Sequence, residues 1–353
     1  MEVTMKNFHI GKKTISRNHP CYIIAEIGGN HNGKEALAVK LVEEAVKSGV
    51  DAVKFSRFDT ERFMDRSSEP GDLSEVSGKH GSNPAELSKN SGISNDMLLR
   101  IANLCKKLNV DFLSTPFEEK SVDLVVKLGV PAIKIASGDL TADPFIKYVA
   151  QQRLPVILST GMSNIEEVRY AVSLLLDNGC PELSLLHCVS SFPAELDGLN
   201  LKVVRSLARE FDVPVGFSDH TAGMEAAPIA VAAGACIIEK HFTLDRELPG
   251  PDHAFSLDPY GMTQLIKAIR QVEAMMGVEK KAPTVAELEY RKFGRRSIVA
   301  RVAIEPGSVV TEAMLTLKRP GTGIAPRDLY KVLGKKAKVR ISEDEMLSWD
   351  KIG

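Results

Sequence analysis

The residues of this sequence best suited to chemistry are two histidines, His220 and His241. His220 lies in GFSDHT (216–221) and His241 in EKHF (239–242), each just past a short apolar run. Residues 214–217 read as one buried strand and 236–238 as the next, and 223–233, small and apolar, is helix-compatible between them. Adjacent strand outlets of a parallel α/β fold lie side by side at one edge. Two imidazoles there can share a divalent metal, with carboxylates or waters completing its shell. A solitary histidine would read more simply as a hydrogen-bonded residue at the rim of a core; the matched placement favours the metal. Lys54 and Lys134 sit in apolar β runs and therefore face a cavity, where a lysine needs an anion. Thr115, Ser137, Ser159 and Ser218 fall at further outlets. Lysines, hydroxyls and backbone N–H groups make a cradle for phosphate or carboxylate. A metal that polarises a carbonyl and carboxylates that move protons direct such a cradle towards carbon–carbon bond chemistry on a phosphorylated acid.

These residues need a scaffold that gathers strand ends. Eight short apolar runs meet that need, at 22–27, 52–55, 111–114, 132–136, 156–159, 184–188, 214–217 and 236–239. Helical patterns follow them at 34–47, 93–108, 118–128, 144–151, 164–177, 201–210, 223–233 and 259–276. The second carries Leu98, Ile101, Ala102, Cys105 and Leu108 at helical spacing. Buried strands alternating with amphipathic helices predict a parallel sheet covered by helices. Eight units in this length predict a (β/α)8 TIM barrel, with a doubly wound open sheet as the alternative. A small hairpin precedes the barrel, at 8–10 and 14–16. Every outlet is polar: Glu26 and 30–32, Lys54, Ser114 and Thr115, Lys134 to Asp139, Ser159 and Thr160, His187 to Ser191, Ser218 to His220, and Glu239 to His241. Some of these can be helix caps, Ser159 or Ser163 before 164–177 for example; caps do not call for two lysines and two histidines.

The chain has 353 residues, 44% of them hydrophobic, enough for one large domain and one small one. The expected division is 1–277 for the barrel with its hairpin, 278–295 for a charged linker, and 296–353 for a mostly-β domain with EPG and RPGTG turns. A formal net charge of −1 argues against nucleic-acid or membrane-surface partners. The five cysteines show no CxxC spacing and read as reduced, buried thiols. With no apolar signal core at the N-terminus and no run long enough to span a bilayer, a cytoplasmic protein is expected. Two loops stand out on the outlet side. Residues 58–92 are long, polar and charged, as in a lid, and 248–256 (LPGPDHAFS) are stiffened by Pro and Gly.

AEIGGNHNG (25–33), VKF (53–55), STPF (114–117), KIASGD (134–139), LSTGM (158–162), LLHC (185–188), GFSDHT, EKHF and GPDH (250–253) together resemble the sialic acid synthase family. KRPGTGI (318–324) is similar to that family's antifreeze-like, or SAF, domain. The resemblance runs through nearly the whole chain in order. It implies condensation of phosphoenolpyruvate with an N-acylated amino-hexose of the N-acetylmannosamine type, plus water, to give a nonulosonic acid and phosphate. It implies His220 and His241 as ligands of Mn2+ or Mg2+. Phosphoenolpyruvate is expected at Lys54, Thr115, Lys134, Ser137, Ser159 and Ser218, with Ser190 beside it. Glu26 matches the acid/base carboxylate, and Asp139 an acidic position near a metal-bound water. Asp252 and Arg319 match sugar-contacting positions. A homodimer follows in which each small domain caps the partner's barrel, so that Arg319 works in trans.

Three positions depart from the pattern. Ser56 stands where the family commonly has Gln, and Ser190 and Phe192 stand where well-known bacterial members have Asn and Tyr. They leave the sugar's identity open between N-acetylmannosamine, its 6-phosphate, and the diamino sugars of legionaminic and pseudaminic acid synthesis. Arg62, Arg66 and Lys79 of the long loop are the basic residues available for a phosphorylated sugar. A metal-dependent aldolase that releases no phosphate and a non-catalytic glycan-binding protein are the readings from other classes.

Overall fold

The computed structural model describes residues 8–57 and 93–353. Eight parallel strands close into a barrel: β3 (Tyr22–Gly28), β4 (Ala52–Arg57), β5 (Asp111–Pro116), β6 (Ile133–Ile135), β7 (Val156–Ser159), β8 (Leu183–Cys188), β9 (Val215–Asp219) and β10 (Ile237–His241). Each pairs with its sequence neighbours, and β10 closes on β3 with Ile237 opposite Tyr22 and His241 opposite Glu26. The outer helices are α1 (Glu35–Ser48), α2 (Asn95–Leu108), α3 (Glu119–Leu128), α4 (Asp143–Gln151), α5 (Ile165–Asp177), α6 (Val203–Phe211), α7 (Ala226–Ala232) and α8 (Pro259–Met276). The TIM barrel expected from the strand–helix alternation is the observed fold.

Local chemistry sets the ends of these helices. Ser94 caps α2 by accepting from the Met97 N–H, and Asp258 caps α8 by accepting from Gly261. Helix α5 starts on Asn164, not on a serine. Asn164 accepts from the N–H groups of Glu166 and Glu167, and Glu167 reaches back to the Asn164 N–H, a reciprocal capping box. That leaves Ser159 free for the lumen.

The strands alternate between two cores. Ile23, Ala25, Ile27, Val53 and Phe55 face outwards and pack against the helices in one large cluster. Tyr22, Ile24, Ala52, Leu113, Ala132, Ile157, Leu186 and Ile237 face the lumen. They join Phe8, Ile10 and Ile15 of the hairpin formed by β1 (Phe8–Ile10) and β2 (Lys13–Ile15). The hairpin thus extends the lumen cluster at the strands' N-terminal end, burying three large side chains, each worth roughly 1.5–3 kcal/mol. The period of two then brings Glu26, Lys54, Ser159, Ser218 and Glu239 to the lumen at the opposite end. The five cysteines are buried free thiols. Among the described residues no helix is long and apolar enough to cross a membrane.

Residues Met1–Gly277 and Val278–Gly353 form two compact units. The second opens with α9 (Val285–Gly294), which has its own capping box between Thr284 and Glu287. Most of the segment read as a linker is therefore helical. Strands β11 (Ser297–Ala300) and β12 (Leu315–Lys318) pair antiparallel, and a one-turn helix α10 (Leu329–Val332) follows. Ile298, Ala300, Ile304, Val310, Ile341 and Leu347 belong to a core separate from the barrel's.

Because each unit has its own core, a chain ending at Gly277 is expected to fold. Its circular dichroism should be that of an α/β protein and its thermal melt should be cooperative. A product without a cooperative transition would show that the barrel depends on 278–353.

Candidate active site

The lumen opens at the strand C-termini into a cavity of about 650 Å³. Its floor is charged. Lys54 Nζ lies 2.6 Å from Glu26 Oε2 and 3.7 Å from Glu239 Oε2, and donates to Thr115 Oγ1 at 2.8 Å. Ser218 donates to Glu239 Oε1 at 3.0 Å. All these groups are buried. Two carboxylates thus share one ammonium, and the sharing is unequal. Burial, with the Glu239 charge beside it and Lys54 opposing, pushes the Glu26 carboxyl up to about 7. Burial also acts on Glu239, but Lys54, Lys134 and the Ser218 hydrogen bond outweigh it and hold that carboxyl below its usual value. Near neutrality Glu239 stays ionised while Glu26 exchanges a proton, the division of labour an acid/base site needs.

Lys134 differs from Lys54. It is 3% exposed, and its Nζ donates to the Ile135 carbonyl at 3.0 Å. Among the described residues no carboxylate oxygen comes within salt-bridge distance of it. Burial pulls its ammonium below the usual range, against the Glu239 charge. In the same cavity stand Ser137, which accepts from the Gly161 N–H at 2.9 Å, and Ser159, whose buried Oγ has no hydrogen-bond partner among the described residues. A Cβ on Gly161 would run into Ser190 Oγ and Ser137 Oγ, so this close approach requires glycine. A buried cation, a hydroxyl and crowded serines have the chemistry of an anion cradle, and among the described residues no carboxylate fills it.

The two histidines line the same cavity, with ring centroids 5.4 Å apart. His220 Nδ1 points at the Val189 carbonyl at 3.0 Å, with Cys188 Sγ at 3.8 Å. The tautomer that donates from Nδ1 leaves a lone pair on Nε2. Burial works against the His220 imidazolium, yet the contacts with Cys188 and Val189 prevail and raise its pKa. His241 is driven far below the usual histidine range by burial and by the His220 charge. Its buried Nδ1 has no hydrogen-bond partner among the described residues, and Asp252 Oδ2 lies 3.7 Å from it. Burial raises the Asp252 carboxyl to about 6. An imidazole oriented by a backbone carbonyl, next to a neutral imidazole with an orphaned nitrogen, fits a divalent ion. Among the described residues no group of three His, Cys, Asp or Glu side chains is placed to hold an ion unaided. Water or substrate oxygens would complete the shell.

The cavity thus gathers Glu26, Lys54, Thr115, Lys134, Ser137, Ser159, Ser190, Ser218, His220, His241 and Asp252. Asp139 lies in the 3-10 turn just beyond Gly138 and is not part of the lining; burial raises its carboxyl to about 6. Arg319 is exposed and belongs to the second unit. The long loop, with Arg62, Arg66 and Lys79, lies outside the described residues. Alternation turns Ser114, Thr160, His187, Asp219 and Lys240 away from the cavity, where they bond into the surrounding shell. The sequence reading gave Glu239 no role, although it stands two residues before His241 and so on the same face. Phe192, with its ring 4.4 Å from that of His220 and 5.8 Å from that of Phe255, forms an apolar wall at the mouth.

A family model described as the NeuB family matches residues 41–281, and one described as the SAF domain matches 295–353. The N,N'-diacetyllegionaminic acid synthase of Legionella pneumophila is 40% identical over 346 residues, 97% of each chain. That of Campylobacter jejuni is 38% identical, covering 92% of this chain and 98% of its own. The crystal structure of the N-acetylneuraminic acid synthetase of Leptospira borgpetersenii, a citrate complex, is 32% identical with a TM-score of 0.73, covering 81% of this chain and 96% of that one.

A buried cation with no carboxylate at salt-bridge distance, as Lys134 is among the described residues, destabilises the ligand-free protein. Lys134→Met is therefore expected to raise the ligand-free melting temperature, by the equivalent of about 1–3 kcal/mol, while abolishing anion binding. A lower melting temperature would show that Lys134 is already compensated.

Proposed function

The chain belongs to the NeuB family, and from that premise we propose that it condenses phosphoenolpyruvate with an N-acetylmannosamine-type amino-hexose and water, releasing phosphate and a nonulosonic acid. The single observation that carries this reading is the buried ammonium of Lys134, which has no carboxylate at salt-bridge distance among the described residues and shares one cavity with the Ser159 hydroxyl. A phosphate is the anion this reading assigns to it. Among the described residues the cavity lining holds no Lys or Arg beyond Lys54 and Lys134.

In the reaction, Lys134, Ser137 and Ser159 hold the phosphate. Lys54, Thr115 and Ser218 stand on the floor to hold the rest of the enol acid. His220 and His241 would hold Mn2+ or Mg2+, which when bound would supply Lewis-acid polarisation of the sugar aldehyde. Asp252 lies beside His241 to orient sugar hydroxyls. C3 of phosphoenolpyruvate bonds to the aldehyde carbon, and the carbonyl pair becomes the new alkoxide, which takes a proton from solvent. Water adds at C2, giving up a proton to the Glu26 carboxylate. The tetrahedral centre then expels phosphate, re-forming the C2 carbonyl. Lys134 and Lys54 stabilise the charge that develops on the leaving group. Glu239 remains ionised and keeps Lys54 charged.

The test incubates the protein with phosphoenolpyruvate, Mn2+ and a panel of amino-hexoses, including N-acetylmannosamine, its 6-phosphate and 2,4-diacetamido sugars. Phosphate release and product mass are read together. Product nine carbons long with stoichiometric phosphate is expected; carbon–carbon bond formation without phosphate would make the protein an aldolase instead. The profile of kcat/KM should fall as pH drops through about 7, because protonation removes the Glu26 base. Glu26→Gln should lose that limb together with at least a hundredfold in kcat. A limb that persists in Glu26→Gln would assign the proton transfer to another group.

The second unit completes the reading. The protein is proposed to act as a homodimer in the cytoplasm, with Arg319, exposed in its stiff RPGTG turn, reaching the sugar in the partner's barrel. Arg319→Ala should raise KM for the sugar about tenfold or more, leaving that for phosphoenolpyruvate within twofold. Mixing inactive His241→Ala and Arg319→Ala chains under exchange conditions should restore part of the activity. No recovery in demonstrated mixed dimers would leave Arg319 acting within its own chain or not at all.

A further inference from the structure

Asp219 and Lys240 take part in none of the steps above, yet both are 0% exposed. They are register neighbours on β9 and β10, and each immediately precedes one of the two histidines. Alternation turns them away from the lumen into the shell around the barrel. There Lys240 Nζ lies 3.0 Å from Asp219 Oδ2 and donates to the Thr221 carbonyl at 2.6 Å and to Thr221 Oγ1 at 3.1 Å. Thr221 in turn donates to Asp219 Oδ1 through its N–H at 2.9 Å and its Oγ1 at 2.8 Å. The circuit closes on itself. Asp219 and Thr221 bracket His220 in the chain, and Lys240 ties both to the backbone that carries His241.

Apolar side chains would fill this shell without stripping water from two charges. What they would lack is direction. An ion pair backed by four hydrogen bonds fixes how far β9 and β10 slide and rotate against each other at their outlets. His220 lies past the last β9 residue, outside the ladder, so these side-chain bonds constrain it where strand pairing stops.

We propose that the Asp219–Thr221–Lys240 circuit is a positioning clamp that holds the His220 and His241 imidazoles at the separation a shared divalent ion requires. The proposal rests on the metal reading of the site. Groups that orient metal ligands commonly contribute 10–100-fold in affinity.

The test is direct titration of the full-length protein with Mn2+ in the absence of substrate, following the electron paramagnetic resonance of the free ion. Wild-type protein is expected to bind one ion, and His220→Ala to lose it. Thr221→Val and Lys240→Met should raise the Kd for Mn2+ about tenfold or more, with phosphoenolpyruvate affinity by calorimetry within twofold of wild type. Thr221→Ser, which keeps the hydroxyl, should restore metal affinity. Ser184→Ala removes another buried hydroxyl, one that donates to the Pro214 carbonyl on a different part of the barrel, and should leave the Kd within twofold. Thr221→Val deletes only one hydroxyl and carries the test if Lys240→Met does not fold. Wild-type Mn2+ affinity in folded Thr221→Val, or an equal loss in Ser184→Ala, would overturn the clamp. Wild-type protein that binds no ion would overturn the metal reading and the clamp with it.

Discussion

The sharing of Lys54 between Glu26 and Glu239 governs the site's charge. Two buried carboxylates close to one ammonium cannot ionise with equal ease, since each charge raises the cost of the other. Glu239 wins because Ser218 donates to it and Lys134 adds a second positive field. Glu26 keeps the titrating role. The same division leaves Lys134 without a carboxylate of its own. With Glu26 protonated, the floor carries two ammonium groups against one carboxylate, an imbalance that the phosphate of the proposed substrate would correct. The acid/base group and the anion site thus follow from one arrangement.

That arrangement needs a barrel sealed at its other end. Lys54, Glu26 and Glu239 each stand two residues beyond an inward apolar residue: Ala52, Ile24 and Ile237. The apolar layer, extended by Phe8, Ile10 and Ile15 of the hairpin, keeps water from approaching the ion cluster from below. Low water content strengthens every charge interaction in the floor. Stability is therefore concentrated at the N-terminal end of the strands and chemistry at their C-terminal end, the polarity typical of this architecture. Hairpin and active site are parts of one column of side chains.

Much of this was legible in the sequence because the signals were strong and local. Strand–helix alternation gave the barrel, and lysines inside apolar runs at 54 and 134 had few places to point. The histidines followed from their matched positions at two successive outlets. Less legible was what depends on facing. Outlet residues such as His187, Thr160 and Lys240 read as site residues by position alone, and only the observed strand phase turns them outwards. The helix cap went to Asn164, whose side chain accepts from the Glu166 and Glu167 N–H groups while Glu167 bonds back; Ser163 also has a Glu three residues on, so the sequence alone did not decide between them. Glu239 could have been assigned by counting back two from His241. The acidic Asp139, one residue beyond the lining, could not have been placed by counting, since a 3-10 turn breaks the period there.

The motifs GFSDHT and EKHF therefore carry two layers of information at once. In the first, Ser218 faces the lumen and bonds Glu239, while Asp219 faces the shell. In the second, Glu239 and His241 face the lumen, while Lys240 faces the shell. Ser218 pairs in register near Glu239, and Asp219 near Lys240, so one pair of strand ends makes a polar contact on each face. The inner contact tunes a carboxylate; the outer one fixes the chain that leaves the sheet. A substitution at one position and a substitution at the next thus act on different quantities, charge within the cavity in one case and ligand geometry in the other. Dense polarity at a barrel outlet is not by itself a list of catalytic groups. Half of it can be the frame that keeps the other half in place, and strand phase tells the two apart.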